Sequence, residues 1–317
     1  MRITVLAGGI GGSRFLLGLR SLGHDVTVVV NNGDDITLFG LRVCPDLDTV
    51  MYTLGGGISA ERGWGREDET FRLKDELAAY GAGPSWFGLG DLDLATHIAR
   101  TMWLREGVGL DEVTRRLCER WQPGVRMLPA TNDEVETHVV LEDGSSIHFQ
   151  EWWVRLHAEV PAREIRLENA ERARPAPGVA EAIAHCDVLL LPPSNPVVSV
   201  GTILAVPGIA EAVRATAAPV VGLSPIIADA PVRGMADACL SAIGVETAAY
   251  AVGSHYGARS SGGVLDGWLV DDADAAAVDK LSAEGIRARA VPLWMTDLAA
   301  TAAMAEAALD LAAELRA

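Results

Sequence analysis

Short apolar runs, each followed by a helical pattern, mark the first part of the chain and most of its second half. The β-favouring runs occupy residues 3–6, 26–30, 188–191 and 220–223. Continuous apolar runs of this length are typical of strands covered on both faces. Strands that alternate with helices in this way predict an α/β fold built on a parallel sheet.

The alternation lapses between residues 36 and 122, where helical patterns dominate. Those patterns cover residues 70–80, 92–106 and 110–121, with a polar, glycine-punctuated loop at 61–69. Asp46 or Asp48 is placed to cap a further short helix. We therefore predict a Rossmann-like, doubly wound, mainly parallel sheet in a core of residues 1–35 and 123–317. A largely helical insertion of residues 36–122 interrupts it.

The remaining elements follow from the same patterns. Segments 136–141 and 146–151 alternate around Asp143-Gly144 and predict a hairpin. Late strands are predicted at 264–270 and 287–291, and helices at 180–185, 234–243 and 273–284. Thr296 is predicted to cap the closing alanine-rich helix. The tryptophan pair Trp152-Trp153 is suited to stacking on a flat ligand but is more typical of a core or an interface.

A glycine-rich turn follows the first predicted strand. Gly8, Gly9, Gly11 and Gly12 precede a helix predicted to start near Ser13. Such a turn brings backbone amides and the positive end of a helix dipole to one place, which favours an anion such as phosphate. The spacing GGxGG only approximates the dinucleotide fingerprint, and a tight turn without any ligand is the alternative.

Polar residues follow other predicted strands as well. Asn31 to Asp35 follow the second strand, Ser194-Asn195 follow the run at 188–191, and Ser224 follows the next. Turns at the carboxyl ends of parallel strands converge on one crevice, so we expect these residues to lie near the glycine turn. The alternative is that serine and the neighbouring prolines only end the strands.

Two Asp-x-Asp pairs in the insertion are candidates for chemistry. Asp46 and Asp48 form one pair and Asp91 and Asp93 the other, and Asp93, His97 and Arg100 share a helical face. Carboxylates beside a phosphate are unfavourable unless a cation such as Mg²⁺ bridges them. A carboxylate in this position can also accept a proton from an attacking hydroxyl. The alternative is helix capping with a solvated face.

The formal net charge of −17 disfavours two classes of partner. A nucleic-acid backbone and an anionic membrane would both repel the chain, and we expect neither. The four cysteines form no CxxC pair, so reduced thiols are expected rather than a zinc site or disulfides. No apolar stretch suits a signal segment or a bilayer span, and we place the protein in the cytoplasm.

Seven motifs spread over nearly the whole chain carry a family resemblance. They read GGIGGSRFLLGL, NNGDD, LRVCPDLDTVMYTLGGG, WFGLGDLDLATHIARTMWL, HFQEWWV, PPSNPVVSVG and SPIIADAPVRGMAD. Together they resemble the 2-phospho-L-lactate transferase family of coenzyme F420 biosynthesis. The stretches GGGISAERGWGREDET and QEWW are similar to the branch that transfers a phosphoenolpyruvyl rather than a phospholactyl group.

The resemblance implies a Mg²⁺-dependent transfer. The donor would be a guanosine diphosphate derivative that carries enolpyruvate or lactate on its terminal phosphate. The acceptor would be the deazaflavin FO (7,8-didemethyl-8-hydroxy-5-deazariboflavin), whose terminal ribityl hydroxyl attacks that phosphate and releases GMP. The core would then bind the nucleotide, and the insertion would form the acceptor-substrate lobe.

The resemblance also implies roles for individual residues. Those expected to hold the nucleotide are Gly8, Gly9, Gly11, Gly12, Asn31, Ser194 and Asn195. Asp48 would meet the acceptor or the metal, with Asp68 as a second metal ligand. Asp91, Leu92 and Asp93 would line the acceptor pocket. Leu92 departs from the family pattern, which has a basic residue there that is associated with deazaflavin binding. Either Arg100 or another cation substitutes, or acceptor binding is weaker.

Two other functions compete with transfer. A related branch, of the gluconeogenesis-factor type, binds a nucleotide sugar as a regulator, and the PDLDT and GDxDxATH motifs argue against it. An NAD(P)-dependent oxidoreductase is disfavoured by the GGxGG spacing and the lack of a Tyr/Lys or catalytic His arrangement. The sequence leaves open the oligomeric state, a homodimer included, and the choice between lactyl and enolpyruvyl donors.

Overall fold

The computed structural model describes residues 1–316 and consists of alternating strands and helices. The strands are β1 (Arg2–Ala7), β2 (Asp25–Val30), β3 (Ile36–Leu38), β4 (Leu41–Val43), β5 (Arg126–Pro129), β6 (Glu136–Leu141), β7 (Ser146–His148), β8 (Ala162–Glu168), β9 (Val188–Leu191), β10 (Val220–Leu223), β11 (Ile226–Ile227), β12 (Ala230–Pro231), β13 (Gly267–Val270) and β14 (Arg287–Ala290). The helices are α1 (Gly9–Ser21), α2 (Pro45–Leu54), α3 (Arg72–Ala79), α4 (Asp93–Arg105), α5 (Leu110–Trp121), α6 (Val179–His185), α7 (Val200–Ala205), α8 (Ile209–Ala215), α9 (Ala236–Ala242), α10 (Ala249–Tyr256), α11 (Ala277–Ala283) and α12 (Leu298–Glu314).

Seven of the strands form one parallel sheet in the order β14-β13-β10-β9-β1-β2-β5. Read from β5, the chain order is that of a doubly wound Rossmann-type sheet extended by one strand. The order reverses between β1 and β9, and ligands of such sheets bind beyond the carboxyl ends of the strands at this point. The predicted fold class is confirmed.

Alternate residues of the central strands face two separate helical layers. Val5 of β1 belongs to a hydrophobic cluster with α1, α2, α5 and α12, whereas the adjacent Leu6 belongs to a second cluster with helices α6 to α11. This alternation follows from the period of two in a strand. Both faces of the sheet are therefore covered, as the continuous apolar runs predicted.

Helices α2 and α5 of segment 36–122 pack into the hydrophobic core on one face of the sheet, whereas α4 and the β3–β4 hairpin lie outside that core. Leu47 and Met51 of α2 and Leu117 of α5 lie in the same cluster as α1 and α12. The Arg20 guanidinium at the end of α1 donates to the carbonyls of Leu54 at 2.5 Å and Pro123 at 2.7 Å, which joins the end of α2 and the C-terminal border of this segment to the core. Helix α4 packs on the β3–β4 hairpin farther out.

A three-stranded antiparallel sheet, β7-β6-β8, forms a smaller layer. Its third strand, β8, was not predicted, because its residues are mostly charged and only half-buried. Trp152 follows this hairpin, is almost fully buried and donates its indole N–H to the Val160 carbonyl at 2.7 Å. Trp152 is therefore a core residue and is not available to stack on a ligand.

Several predicted boundaries were wrong. Helix α1 begins at Gly9 rather than near Ser13, because Gly9 adopts φ +63° and turns the chain directly from the strand into the helix. Neither Asp46 nor Asp48 caps α2, which has Cys44 at its N-cap. The closing helix is capped by Asp297 and not by Thr296, since the Asp297 carboxylate accepts from the amide of Ala300 at 2.8 Å.

Three late elements are shorter than predicted. The second strand of the hairpin ends at His148, strand β13 begins at Gly267, and helix α11 begins at Ala277. Among residues 1–316, no helix is long and apolar enough to cross a membrane.

Candidate active site

The glycine turn between β1 and α1 packs closely against the turn that follows β9. A Cβ on Gly11 would collide with the carbonyl of Pro193, and a Cβ on Gly12 would lie 2.5 Å from the Ser194 hydroxyl. That hydroxyl accepts from the amide of Gly8 at 3.2 Å and donates to the carbonyl of Gly8 at 2.8 Å. The glycines and Ser194 therefore join two strand ends at the point where the sheet order reverses.

A buried carboxylate from α2 lies beside the N-terminus of α1. A Cβ on Gly8 would collide with Oδ2 of Asp46, and this oxygen accepts from Asn31 Nδ2 at 2.9 Å. Burial raises the pKa of Asp46 to about 6, while hydrogen bonds from Asn31, the Gly9 amide and Ser199 oppose the rise. The positive end of the α1 dipole thus already faces an acidic group. The sequence analysis did not place Asp46 at this helix.

The two predicted asparagines hold neighbouring turns together. Asn31 also donates to the carbonyl of Val198 at 3.0 Å and accepts from the amide of Gly33 at 3.0 Å. Asn195 Oδ1 accepts from the amides of Val197 at 2.9 Å and Val198 at 3.1 Å. Both side chains lie at the carboxyl edge of the sheet, where the sequence predicted them, and both have their main hydrogen-bonding groups in use.

A buried polar cluster connects α2 with α4. Asp48 forms an ion pair with the guanidinium of Arg100, and its other oxygen lies 3.7 Å from His97 Nδ1. His97 Nε2 lies 3.3 Å from Asp93 Oδ2, and Tyr52 donates its hydroxyl to Asp93 Oδ1 at 2.6 Å. The predicted common face of Asp93, His97 and Arg100 is confirmed, and it faces α2 instead of solvent.

Three atoms of this cluster converge with unused coordinating capacity. One ligand atom each from Asp48, Asp93 and His97 lie within 4.8 Å of one another. Asp48 Oδ2 and His97 Nε2 are both buried without a hydrogen-bond partner. Buried polar atoms are rarely left unpaired, so this arrangement suits a cation or a substrate group.

The electrostatics of the cluster depend on its burial. Burial raises the pKa of Asp48 although Arg100 and His97 lower it. Burial would raise the pKa of Asp93 as well, but the His97 imidazole 3.3 Å away and the hydrogen bond from Tyr52 outweigh it, and the pKa of Asp93 is lowered. Asp93 is therefore the more firmly ionised of the two carboxylates, and Asp48 has the higher proton affinity.

Two further acids follow β2 and are buried with almost no partners. Burial raises the pKa of Asp34 well above its usual value, and Asp46 contributes to the rise. Burial also raises the pKa of Asp35 to about 7, although Arg42 lies 3.9 Å from its Oδ2. Neither oxygen of Asp35 has a hydrogen-bond partner. The pattern NNGDD predicted the place of these residues but not their burial.

Of the three residues predicted to line the acceptor pocket, Asp93 lies in the buried cluster, whereas Asp91 and Leu92 contact the loop before α3. Asp91 does not join Asp93, because its carboxylate accepts from Thr70 Oγ1 at 2.5 Å and from the amide of Leu73 at 3.1 Å at the start of α3. Leu92 is 40% exposed, and its carbonyl accepts from Arg66 at 2.9 Å. The cation beside Leu92 is therefore Arg66, whereas Arg100 is buried in the cluster.

Glu69 makes the reciprocal contact, which the sequence analysis missed. Its carboxylate accepts from the amides of Leu92 at 2.5 Å and Asp93 at 3.0 Å and so caps α4. A Cβ on Gly90 would collide with this carboxylate. We call the contacts between segments 66–73 and 90–93 the cross-cap. The sequence carried one signal for the cross-cap. Glu69 directly precedes the helix predicted at 70–80, and Asp91 directly precedes the helix predicted at 92–106.

Asp68, the second predicted metal ligand, lies elsewhere. It is exposed in the loop before α3 and lines an open groove of about 540 Å³ together with Trp121, Arg66 and Arg120. It is not among the ligand atoms that converge with Asp48. The structure thus gathers Asp48 and Asp93, and the first turn of α2 connects them to Asp46 at the glycine turn.

Comparisons with known proteins agree with this architecture. The family described as 2-phospho-L-lactate transferase CofD matches residues 3–304. A protein of Streptomyces griseus named phosphoenolpyruvate transferase is 65% identical, with all of both chains covered. One of the same name from Streptomyces coelicolor is 64% identical, with 100% of this chain and 99% of the relative covered.

A solved structure supports the fold alone. A crystal structure of a Bacillus halodurans protein superposes with a TM-score of 0.64 at 19% sequence identity. It covers 97% of this chain and 99% of that one.

Proposed function

This chain belongs to the 2-phospho-L-lactate transferase family, a family of transferases in coenzyme F420 biosynthesis, and on that premise we propose its reaction. The protein transfers a phosphoenolpyruvyl group from a guanosine diphosphate-linked donor to FO and releases GMP. The enolpyruvyl donor is preferred to the lactyl donor because relatives about 65% identical are named phosphoenolpyruvate transferase. The homodimer and the cytoplasmic location remain predictions.

One observation supports the reaction most directly. The buried Asp48–Asp93–His97 cluster and the glycine turn are connected through a single helical turn, in which Asp46 contacts the glycines and Asp48 contacts the cluster. A nucleotide at the glycine turn would bring its phosphates to the start of α2. Phosphoryl transfer requires positioning and charge neutralisation there more than a covalent nucleophile.

The donor atoms of the cluster fit a divalent cation. Asp48 Oδ2 and His97 Nε2 are buried and unpartnered, and Asp93 supplies a second carboxylate that is firmly ionised. Two carboxylates suit Mg²⁺ or Mn²⁺. We propose that Asp48 and Asp93 hold this ion, with Asp68 as the alternative ligand that the family resemblance implies. Such an ion would neutralise charge on the transferred phosphoryl group.

The roles of the chain's own residues follow from their contacts. The FO hydroxyl oxygen forms a bond to the phosphorus that carries enolpyruvate, the bond from that phosphorus to the GMP oxygen breaks, and the hydroxyl proton leaves. Asp48 is the proposed acceptor of that proton because its Oδ2 is buried beside the reacting groups without a hydrogen-bond partner. Arg100 and His97 keep its carboxylate oriented, and Tyr52 orients Asp93.

GMP release tests this proposal. The purified protein is incubated with the guanylylated donor, FO and Mg²⁺, and GMP is quantified by chromatography. We expect GMP only when all three are present, and we expect a chelator to abolish it. Nucleotide binding without any GMP release would instead favour the regulator of the gluconeogenesis-factor type.

Asp48→Asn tests the assignment of the cluster. We expect turnover to fall at least tenfold, which corresponds to about 1.4 kcal/mol of barrier. Asp143→Asn, at the exposed tip of the β6–β7 hairpin, is the matched control and should retain turnover. Wild-type turnover in Asp48→Asn would remove this carboxylate from the reaction. The mass of the product distinguishes the two donors, which differ by two hydrogens.

A further inference from the structure

An arginine without an acidic partner lies beside the glycine turn. Arg233 follows the short β11–β12 hairpin, which extends from the carboxyl end of β10. A Cβ on Gly63 would lie 2.7 Å from Arg233 Nη2 and 3.4 Å from Cδ1 of Ile10, which is in the first turn of α1. The guanidinium and the glycine turn are therefore neighbours, and the loop before α3 lies against both of them.

Two glycines leave the space in which this guanidinium lies. Gly63 and Gly234 have φ angles of +73° and +75°, in the left-handed region that favours glycine. A Cβ on Gly63 would collide with Arg233, and a Cβ on Gly234 would lie 3.3 Å from the Trp153 indole. The backbone therefore passes close to the Arg233 guanidinium at one glycine and close to Trp153 at the other.

The loop that contacts Arg233 is held in place by an arginine of its own. The Arg62 guanidinium lies 5.5 Å from the centre of the Trp64 ring and 5.6 Å from that of Phe71, and it donates to the carbonyl of Arg66 at 2.7 Å. The backbone carbonyl of Arg62 accepts from Arg233 Nη2 at 3.2 Å. Arg62 therefore stabilises the loop with its side chain and orients Arg233 with its carbonyl.

The charge of Arg233 is not compensated, although the chain is rich in acids. Acidic residues outnumber basic ones by 43 to 26, yet within residues 1–316 neither Arg233 nor Arg62 forms an ion pair. The bond to the Arg62 carbonyl uses one of the five N–H groups of the Arg233 guanidinium, and the others stay free. Two neighbouring guanidinium groups without carboxylates favour an anionic ligand.

The proposed donor has one anionic group that has no partner so far. Its phosphates would be bound by the glycine-turn amides and the divalent cation, whereas the carboxylate of its enolpyruvyl group would lie near the buried acid cluster and needs a cation of its own. A planar guanidinium binds a carboxylate through two parallel hydrogen bonds. Arg233 offers this geometry next to the glycine turn.

We propose that Arg233 binds the carboxylate of the donor and thereby selects a carboxylated donor over an ordinary nucleoside diphosphate. This assignment rests on the proposed transfer reaction. The Arg62 carbonyl orients the guanidinium, and Gly63 keeps free the space in which it lies. Because a lactyl donor has the same carboxylate, Arg233 does not distinguish the lactyl from the enolpyruvyl donor. It distinguishes both of them from GDP.

Calorimetric titration of two nucleotides, with Mg²⁺ and without FO, tests this assignment. GDP and the guanylylated phosphoenolpyruvate donor both contain a diphosphate, but only the donor has a carboxylate. Arg233→Ala should weaken donor binding about tenfold or more and change the affinity for GDP less than about twofold. Arg163→Ala is the matched control, since Arg163 is an exposed arginine of β8 that also forms no ion pair within residues 1–316.

Two glycine variants test the position of the guanidinium. Gly63→Ala places a Cβ against Arg233, whereas the Cβ of Gly65→Ala meets nothing within 4 Å. Both residues have left-handed φ angles, +73° and +65°, so the backbone strain in the loop is matched. We expect Gly63→Ala to bind the donor about threefold or more weakly than Gly65→Ala, and the two variants to bind GDP equally.

The outcomes separate this inference from the proposed function. An equal loss of affinity for GDP and for the donor in Arg233→Ala would assign Arg233 to a phosphate and overturn the inference. Wild-type affinity for both nucleotides in this variant would overturn it as well, while leaving the transfer reaction intact. Donor binding without any GMP release in the presence of FO would overturn the transfer reaction, whereas a selective loss of donor binding in Arg233→Ala would still support the carboxylate contact.

Discussion

Burial and charge conflict at Asp35. It is 1% exposed, its two oxygens lack hydrogen bonds, and its nearest cation, Arg42, is also bonded to Glu136 at 2.6 Å. Burial raises the pKa of Asp35 to about 7 from a usual value of 3.8. The folded protein therefore retains a proton on Asp35 that the unfolded chain has already lost.

The raised pKa of Asp35 makes the free energy of unfolding fall as the pH rises. A raised acid pKa stabilises the folded state at low pH, and that contribution is lost as the pH rises from about 4 to about 7. We expect Asp35→Asn to gain stability relative to wild type over this window, by about 1 kcal/mol or more in the free energy of unfolding. Urea unfolding at several pH values measures it, with Asp25→Asn at the exposed start of β2 as control. A difference that stays constant from pH 4 to pH 8 would contradict a charged, buried Asp35.

Gly11 is required by packing before any ligand binds. Because its missing Cβ leaves room for the backbone carbonyl of Pro193, Gly11→Ala must displace a turn of the central sheet. We expect a loss of about 2 kcal/mol or more in unfolding free energy. Gly23→Ala is the matched control, since its Cβ meets nothing within 4 Å and only its φ of +73° is strained, at about 1 kcal/mol. Equal losses would show that the contact with Pro193 is not tight.

The types of residue in the site predicted where these residues lie, but did not predict which groups they contact. The glycines, Asn31, Ser194 and the PDLD aspartates lie at the carboxyl edge, as expected. Their hydrogen-bond partners could not be predicted, because those partners come from residues far away in the chain. Asp46 beside the α1 amides and Glu69 at the start of α4 are examples, since only the tertiary fold brings each acid to its helix.

The cross-cap is the feature that connects elements of the insertion. Glu69 caps α4 and Asp91 caps α3, so each loop satisfies the free amides of the other helix. Because Asp93 is the first residue of α4, its orientation depends on this contact. The sequence predicted α3 and α4 as helices, but a cap formed from a neighbouring loop leaves no local signal.

Glu69→Ala tests the cross-cap. Losing the acceptor of two helix amides should lower the stability of the loop by about 1 kcal/mol. Hydrogen exchange should therefore be faster at the amides of Leu92 and Asp93. Glu67→Ala is the control, because this exposed neighbour makes no side-chain hydrogen bond within residues 1–316. Unchanged exchange in Glu69→Ala would show that the first turn of α4 holds without Glu69.

At the scale of the whole molecule, the apolar runs predicted four of the seven strands of the central sheet, β1, β2, β9 and β10, whereas the edge strand β5 was not predicted. Residues 188–191 and 220–223 form strands with the predicted bounds, because buried parallel strands are continuously apolar. The late strand β13 and the charged strand β8 were harder to predict, since turn residues and surface charge obscure the period of two. The order of the strands in the sheet could be predicted only by assuming the order that is usual for a doubly wound fold.

The distribution of charge over the whole molecule also explains how an acidic protein could bind anionic substrates. A net charge of −17 repels phosphates at long range, so attraction has to be local. The glycine-turn amides, the buried arginines and a divalent cation in the acid cluster are the proposed sources. The cation is the central claim of this account, because within residues 1–316 Arg100 would otherwise be the one cation paired with this group of carboxylates, Asp46, Asp48 and Asp93, beside the donor phosphates.

Mn²⁺ binding followed by electron paramagnetic resonance tests that claim most directly. Mn²⁺ is titrated into wild type, Asp48→Asn and the control Asp143→Asn, each with GMP present and each confirmed to be folded by circular dichroism. We expect one Mn²⁺ per chain in wild type and in the control, and at least tenfold weaker binding in Asp48→Asn. Equal Mn²⁺ affinity in all three proteins would contradict the account.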